Sequence, residues 1–417
     1  MARRSFSMAH SSRSSATLKV TVLQAGARMH YAVPALLASA GLLQHFYTDI
    51  HGTWPGLRLL HHLPPALQPA ALQRLLGRSL PDTIAPTSVT TCGRSLLWHR
   101  LRSRWGMASG SPYASLFQEA IARRFDGANV LYSNFINADL AAFQAARQQG
   151  LRTVHEAIIS PEIPYLLAEE RRAFPGLEPL QSLDQMQAGT ERDRQKWELS
   201  DVIVVPSPYV QQAMERLGVG RDRLHLVPYG LAADWLTATP TPRPGRILFV
   251  GSVRLLKGCH YLAAATRLLQ QRGVSCEVRV VGRYQPEAIA HPAFQGPTYV
   301  GPVPRSQIQQ EFLQADCLVF PTLCDSFGLV QLEAIACGLP VIATPHCGSV
   351  VRDGVEGFIV PIRDAEALAD RMEHLVSDRL LRDQMSARAR QRAQEFTWQQ
   401  YGDRLMAALH TLDLSGN

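Results

Sequence analysis

Several patterns that would each indicate a class of protein are missing from this sequence. No run of about 18 uncharged apolar residues occurs, so no transmembrane helix is predicted. The seven cysteines are scattered and form no C-x-x-C pair, which argues against a disulfide framework and against a zinc site. No G-x-G-x-x-G follows a strand-like run, so a Rossmann-type dinucleotide enzyme is disfavoured.

Length and composition describe a large globular chain. Its 417 residues are 46% hydrophobic and 18% charged, which is enough for two domains with ample cores. Residues 1–17 are rich in Ser and Arg and have no apolar stretch, so we predict a disordered lead rather than a secretory signal. The cytoplasm is the expected location, with peripheral attachment to the inner membrane face as a further hypothesis.

Positive charge is concentrated in the first part of the chain. Residues 1–125 contain 14 Lys or Arg and 3 Asp or Glu. The densest basic segment, 94–105, interleaves Leu and Trp with arginines, namely Arg94, Arg100, Arg102 and Arg104. Such a segment can lie on an anionic membrane, or it can be a solvated helix with Trp98 and Trp105 docked on the core. No nucleic-acid-binding motif accompanies the charge, so nucleic acid is not an expected partner.

Strand-like runs alternate with helical patterns along the chain, which predicts an α/β protein with parallel sheets covered by helices. A Pro-rich stretch, TATPTPRPGR, separates two halves. The Pro-rich region 51–110 matches no pattern, and an insertion that shapes an acceptor side is one interpretation. The predicted division is a lead (1–17), a first domain (18–236), a hinge (237–245), a second domain (246–395) and a final helix (396–417).

Residues 317–360 predict, in order, a strand, a loop, a helix, a strand, a loop and a strand. Asp325 comes just before the helix and Glu333 lies inside it, so one crevice receives two carboxylates. The N–H groups at Phe327–Leu329 and the helix dipole suit a phosphate or a polar sugar edge, and Gly328 permits close approach of a ligand. The alternative is that Asp325 only caps the helix and Glu333 is a surface residue.

The nine residues D-S-F-G-L-V-Q-L-E resemble the E-x-F-G-x-x-x-x-E signature of retaining glycosyltransferases with the GT-B fold, family 4. Asp325 stands where the first Glu is usual. The flanking runs ADCLVFP, ACGLPVIAT and DGVEGFIVP extend the resemblance to about 45 residues. It implies two Rossmann-like domains facing a central cleft, with a C-terminal helix crossing back to the N-terminal domain. It also implies a nucleotide-diphosphate sugar as co-substrate, with no cofactor.

A second stretch, FVGSVRLLKG, resembles the family's V-G-R-L-x-x-x-K-G. Lys257 matches the family's lysine, whereas Ser252 stands where Arg is usual, after Gly251. The arginine role has either moved to Arg254 or is absent. The resemblance implies catalytic roles for Lys257 and Arg254 on the diphosphate, for Asp325 on the transferred sugar, and for His155. It implies donor binding by a second group, namely Glu333, Phe327, Gly328, Leu329, Gly26, Gly251 and Ser252.

Two of those residues lie outside the main motifs. Gly26 ends the first predicted strand, where it either contacts donor phosphates or only permits a turn. His155 lies at the end of a later strand, where it either contacts the transferred sugar or makes a structural hydrogen bond. Segments 277–287 and 298–308 resemble the family's loops around the nucleotide base, and no single base contact is assigned to either.

No D-x-D occurs, which argues against a metal-bridged diphosphate, so no metal site is predicted. Together with the missing D-x-D, the family resemblance implies a retaining, metal-independent hexosyltransferase that uses a nucleotide sugar. The acceptor is a glycan, a lipid-linked sugar or a small molecule, and cell-envelope or exopolysaccharide synthesis is the expected setting. The alternatives are a soluble sucrose or storage-glucan synthase, and a GT-B protein that binds a nucleotide or glycan without catalysis.

Overall fold

The computed structural model describes residues 17–414 apart from 53, 55–56, 58–59, 61–63, 65–67, 106, 108–109, 137, 181 and 349. The predicted lead lies outside the described residues except for Thr17, as does part of 51–110. The chain divides into two compact units, Met1–Val154 with His410–Asn417, and His155–Leu409. The domain limits predicted from composition at 236 and 246 stay a prediction.

The first sheet has seven strands, in the order β3-β2-β1-β4-β5-β6-β7. They are β1 (Val20–Leu23), β2 (Leu43–Thr48), β3 (Val89–Thr91), β4 (Val130–Ser133), β5 (Arg152–Glu156), β6 (Val202–Val205) and β7 (Leu224–Leu226). β1 pairs in parallel with both β2 and β4. Every residue of β1, β4 and β6 is buried, as expected for parallel strands covered on both faces.

Among the residues described up to β7, eight α-helices accompany this sheet. They are α1 (Ala32–Ser39), α2 (Ala70–Leu76), α3 (Gly93–Arg104), α4 (Ala114–Ala122), α5 (Leu140–Gln148), α6 (Ile163–Ala173), α7 (Leu183–Leu199) and α8 (Pro208–Arg216). The helix starts follow local chemistry. At α8, for example, the Ser207 hydroxyl accepts a hydrogen bond from the Val210 N–H, and Pro208 occupies the first turn.

The second sheet has six strands, in the order β10-β9-β8-β11-β12-β13. They are β8 (Arg246–Val250), β9 (Glu277–Val281), β10 (Thr298–Gly301), β11 (Cys317–Phe320), β12 (Val341–Ala343) and β13 (Gly357–Ile359). From β8 the chain builds outward through β9 and β10, and then returns to add β11, β12 and β13 on the other side. The carboxyl ends of β8 and β11 therefore form a topological switch point, where doubly wound sheets bind ligands.

The helices that follow β8 include the one predicted to begin after Asp325 and to contain Glu333. They are α9 (Cys259–Gln271), α10 (Pro286–Ala290), α11 (Arg305–Leu313), α12 (Leu329–Ala336), α13 (Ala365–Ser377), α14 (Arg379–Ala393) and α15 (Trp398–Leu409). The elements predicted for 317–360 are confirmed in the order β11, α12, β12 and β13.

The C-terminal helix α15 packs against strand β6 of the first sheet. In the segment just before α15, the Phe396 carbonyl accepts a hydrogen bond from the Leu231 N–H at 2.8 Å. Thr397 and Leu231 also form an isolated parallel β-bridge. The Tyr401 ring lies 6.2 Å from that of Tyr229. These contacts confirm the predicted return of the last helix to the first sheet. Within the described ranges, none of the helices combines the length and the apolar character needed to cross a bilayer.

Helix α3 corrects one of the sequence interpretations. Trp98 is 67% exposed and Trp105, just past the helix end, is 76% exposed. Leu97, Leu101 and Met107 are also exposed. The interpretation in which both tryptophans dock on the core is therefore wrong.

Candidate donor site

The loop after β8 carries the first group of predicted site residues. It runs from Gly251 through a 3₁₀ turn at Leu255–Lys257 to Gly258, the residue immediately before α9. Gly258 has a φ of +66°, and a Cβ atom there would lie 1.9 Å from the Pro321 carbonyl oxygen. Only glycine combines that conformation with that close approach. The backbone of Lys257 is thereby fixed beside the end of β11.

Backbone groups of this loop are bonded to two neighbouring segments. The Val253 N–H donates to the Arg283 carbonyl at 2.8 Å, beyond the end of β9. The Leu256 carbonyl accepts from the Leu323 N–H at 2.9 Å and from the Thr322 hydroxyl at 3.0 Å. The loop is therefore held in one conformation at the switch point.

Lys257 and Asp325, predicted separately, form an ion pair through Nζ and Oδ2. Both side chains stay partly exposed, so a ligand can reach them. The other oxygen, Oδ1, accepts a hydrogen bond from the Phe327 N–H at 3.1 Å. The Asp325 N–H donates to the His346 carbonyl at 2.8 Å. Asp325 is thus held at both its backbone and its side chain, and it orients the ammonium group.

The start of α12 is formed by a left-handed glycine. Gly328 has a φ of +76°, and a Cβ atom there would lie 2.6 Å from the Phe320 ring. Phe327 is buried against Tyr229, with ring centroids 5.1 Å apart, whereas Leu329 is 39% exposed. Because Asp325 already accepts the Phe327 N–H, the donors left for a ligand are those of the helix itself.

Glu333 lies one turn further along α12 and is mostly shielded from water. Burial raises the pKa of its carboxyl to about 7, against the opposing charge of Arg305. Among the described residues, no hydrogen bond or ion pair reaches this carboxylate. A shielded carboxylate without a protein partner is suited to accept hydrogen bonds from ligand hydroxyls.

A cavity of about 560 Å³ opens beside the loop. It is lined by residues from three strand ends, including Gly251, Ser252, Arg254, Gly282, Arg283 and Val303. A Cβ atom on Gly282 would lie 1.8 Å from the Gly251 carbonyl oxygen, so the two strand ends come this close because residue 282 is a glycine. The segments predicted to surround a nucleotide base, 277–287 and 298–308, both contribute to the wall, and the volume suits a small ligand.

Two predicted residues belong to strands and loops of the first sheet. His155 is buried in β5, next to Glu156, whose carboxylate accepts from the Tyr229 hydroxyl at 3.2 Å. Gly26 belongs to the unit Met1–Val154, has a φ of +65°, and donates its N–H to Asp49 at 2.9 Å. Their roles toward a donor stay predictions.

Sequence reasoning missed three residues that shape the site. The Gln331 amide donates to the Phe327 carbonyl at 3.0 Å and to the Gly348 carbonyl at 3.2 Å, which ties α12 to the loop after β12. Arg283 follows a glycine at a strand end, a pattern that could have identified it. Glu178 accepts the Leu255 N–H at 3.0 Å. No local pattern marks it, because it lies in a connection far from either motif.

Two doubly wound parallel sheets, with the last helix returning to the first, define the GT-B architecture. Comparison with solved structures agrees. HepE of Anabaena, solved with UDP and glucose, superposes with a TM-score of 0.61 at 16% identity, covering 95% of this chain and 100% of HepE. The sucrose-phosphate synthase of Thermosynechococcus elongatus gives 0.63 at 18% identity, covering 94% and 98%. These likenesses concern the fold.

Part of the sequence matches a family of known proteins. Residues 244–378 match the family "Glycosyl transferases group 1", so this segment belongs to it, and the resemblance predicted from the motifs is confirmed. The D-inositol 3-phosphate glycosyltransferase of Xylanimonas cellulosilytica is 33% identical over 230 aligned positions, and the match covers 48% of this chain and 54% of that protein. The chain thus spans about half the length of the curated relatives it matches.

Proposed function

We propose that this protein is a retaining, metal-independent glycosyltransferase that moves a hexosyl group from a nucleotide-diphosphate sugar to an acceptor. One observation carries the proposal: the Lys257–Asp325 ion pair lies where the loop after β8 meets the loop before α12. A cavity large enough for a nucleotide opens beside that loop. The same constellation supplies a cation for the diphosphate and carboxylates for hydroxyl groups.

Each residue has a role in this mechanism. Lys257 and Arg254 stabilise the negative charge that develops on the departing diphosphate, together with the free N–H groups of α12. Asp325 holds a hydroxyl of the transferred sugar, and Glu333 accepts the ribose hydroxyls. The acceptor oxygen bonds to the anomeric carbon as the bond to the diphosphate breaks. Attack on the same face delivers the acceptor's proton to the departing phosphate oxygen, so configuration is retained.

UDP is the first nucleotide to test. HepE, whose fold this chain shares, has been solved with UDP and with UDP-glucose. The shared fold motivates this choice of probe, and because the identity to HepE is only 16%, GDP and ADP are tested as further candidates.

We also propose a cytoplasmic enzyme whose acceptor is at the membrane, in envelope or exopolysaccharide synthesis. Residues 83–118 contain no Asp or Glu, and α3 places exposed Trp and Leu beside its arginines. Exposed tryptophan can enter the headgroup region of a bilayer while arginines meet anionic lipid. A soluble acceptor, as for the sucrose-phosphate synthase that shares the fold, is the alternative.

A thermal-shift screen tests the donor site. UDP, GDP, ADP and their common sugar conjugates are added with EDTA present, because a ligand that binds the native state raises Tm by mass action. The proposal is supported if one nucleotide stabilises the protein and if the same nucleotide is then released from its sugar conjugate when extracts that contain acceptors are added. Binding without turnover favours a non-catalytic GT-B protein, and loss of activity in EDTA contradicts metal independence.

Vesicle co-sedimentation tests the membrane contact. Wild type at low salt should bind vesicles with anionic lipid and release them as salt rises. Replacing Trp98 and Trp105 by Ser should abolish binding, whereas Leu380→Ser, which changes an apolar residue that is 70% exposed elsewhere, should not. If the tryptophan variant and Leu380→Ser bind the vesicles equally, α3 does not contact the membrane.

A further inference from the structure

The loop that carries Lys257 is also held by a residue outside the matched family segment. Glu178 lies between α6 and α7, and its Oε1 accepts the Leu255 N–H at 3.0 Å. Leu255 is fully buried, so this N–H has no access to water and depends on the carboxylate. Glu178 therefore fixes the first residue of the 3₁₀ turn whose last residue is Lys257.

Arginines lie on both sides of Glu178. Arg254 Nε is 3.8 Å from Oε1, and Arg171 Nη2 is 3.4 Å from Oε2. Arg171 is buried, whereas the Arg254 side chain is 60% exposed and lines the cavity. Arg171 compensates the charge of the carboxylate, so Arg254 keeps a net positive charge toward a bound anion.

The connection that bears Glu178 is anchored on the second sheet. Leu167 of α6 belongs to the hydrophobic core around β8 and β9, and Phe174 and Leu177 pack against it. Helix α6 is tied at another point, because Glu170 accepts from His260 at 2.7 Å and from Tyr261 at 2.6 Å at the start of α9. The Glu178 carboxylate therefore has a fixed position relative to the loop.

We propose that Glu178 is a positioning residue that holds Arg254 against the cavity wall, so that Arg254 recognises the diphosphate in place of the arginine absent at Ser252. The inference rests on the proposed donor site. It predicts a selective effect: Glu178 acts on the second phosphate through Arg254, and it does not act on the base or the ribose. Nucleoside diphosphate and monophosphate binding should therefore respond differently to its removal.

Calorimetric Kd values for the stabilising nucleotide and its monophosphate, UDP and UMP first, test this. Glu178→Ala and Arg254→Gln should each weaken UDP binding about tenfold and change UMP binding less than about twofold. Glu178→Gln should have a smaller effect, since its amide oxygen still accepts the Leu255 N–H. In the Arg254→Gln background, Glu178→Gln should add little, because both act through one contact.

Glu169→Gln is the matched control, since Glu169 is an exposed carboxylate on α6, the helix that precedes Glu178, and it pairs with Arg363 at 3.0 Å. It should leave the UDP-to-UMP ratio unchanged. Two outcomes would overturn the role of Glu178 and leave the proposed function standing. One is an unchanged ratio of UDP to UMP affinity in a folded Glu178→Ala variant. The other is that the effects of Glu178→Gln and Arg254→Gln are additive. If Glu178→Ala does not fold, the test rests on whether the effects of Glu178→Gln and Arg254→Gln are additive in the double variant. Failure of wild type to bind any of the three nucleoside diphosphates would overturn the proposed function as well.

Discussion

The donor loop, residues 251–258, and helix α3 place positive charge in opposite ways. In the donor loop, Lys257 pairs with Asp325, and the backbone is bonded to neighbouring segments on several sides. In α3, arginines and large apolar side chains are exposed together within a stretch that contains no acidic residue. One region fixes its cations in position, and the other leaves them in water.

The difference corresponds to the ligand each region suits. A diphosphate in a transition state requires donors at fixed positions, because reorganising them during the reaction costs free energy. A bilayer surface has no fixed geometry, so exposure and charge decide the affinity. Changes in the donor loop should therefore affect turnover, and changes in α3 should affect only attachment.

The largest effect should follow Lys257→Ala. Removing the ammonium group takes away charge stabilisation of the departing diphosphate and leaves Asp325 without its partner. We expect kcat/KM to fall about 100-fold or more, with the fold retained. Glu333→Ala should also remove most turnover. Initial rates with the identified donor, beside circular dichroism, measure both.

Lys19→Ala provides the control, since Lys19 is exposed before β1 and should leave rates unchanged. Near-normal turnover in both site variants would refute the assignment of the donor site. Loss of the folded state in Lys257→Ala would instead mean that the ion pair is structural.

Gly258→Ala should be the next largest effect, this time on stability. Its Cβ atom would clash with the Pro321 carbonyl as well as strain the left-handed backbone. We expect a loss of about 3 kcal/mol or more in the free energy of unfolding. Gly273→Ala separates the backbone strain from the clash. Gly273 has a φ of +72° with open space around it, so this substitution should cost only about 1 kcal/mol. Urea unfolding measures both, and equal losses would contradict the clash.

Much of this site was predictable because it is local in sequence. Lys257 and Gly258 lie in the loop that follows a strand, Asp325 precedes a helix and Glu333 lies inside that helix, so the pattern predicts that they share a sheet edge. The order of the elements from Cys317 to Ile359 was predictable for the same reason, since short runs between glycines and prolines set them.

The remainder depends on contacts that spacing does not encode. Glu178 reaches Leu255 across 77 residues, and only the folded chain shows it. The exposure of Trp98 was likewise not predictable, because tryptophan on a helix packs inward in most proteins and nothing in the helical period distinguishes the two cases. The pKa of Glu333 depends on how deeply α12 is covered, which is again a tertiary property.

A smaller effect concerns pH. Burial raises the pKa of Glu333 to about 7, and its ionised form is the one that accepts ribose hydroxyls. Nucleotide affinity should therefore rise with pH through about 7 and be about tenfold lower at pH 6 than at pH 8. Calorimetry across this range measures it. Glu333→Gln should remove this part of the dependence and leave the titration of the phosphate, and identical profiles would rule out Glu333.

The smallest effect should come from the exposed face of α3. Because Trp98 and Trp105 bury little surface in the isolated protein, replacing either by Ala should change the free energy of unfolding by less than about 0.5 kcal/mol. Leu380→Ala, another largely exposed residue, should behave alike. Urea unfolding without lipid measures all three. A loss above about 1.5 kcal/mol in a tryptophan variant alone would mean that the side chain packs against protein in solution. The affinity of α3 for anionic vesicles would then require an opening of the structure, and the contrast with the fixed donor loop would disappear.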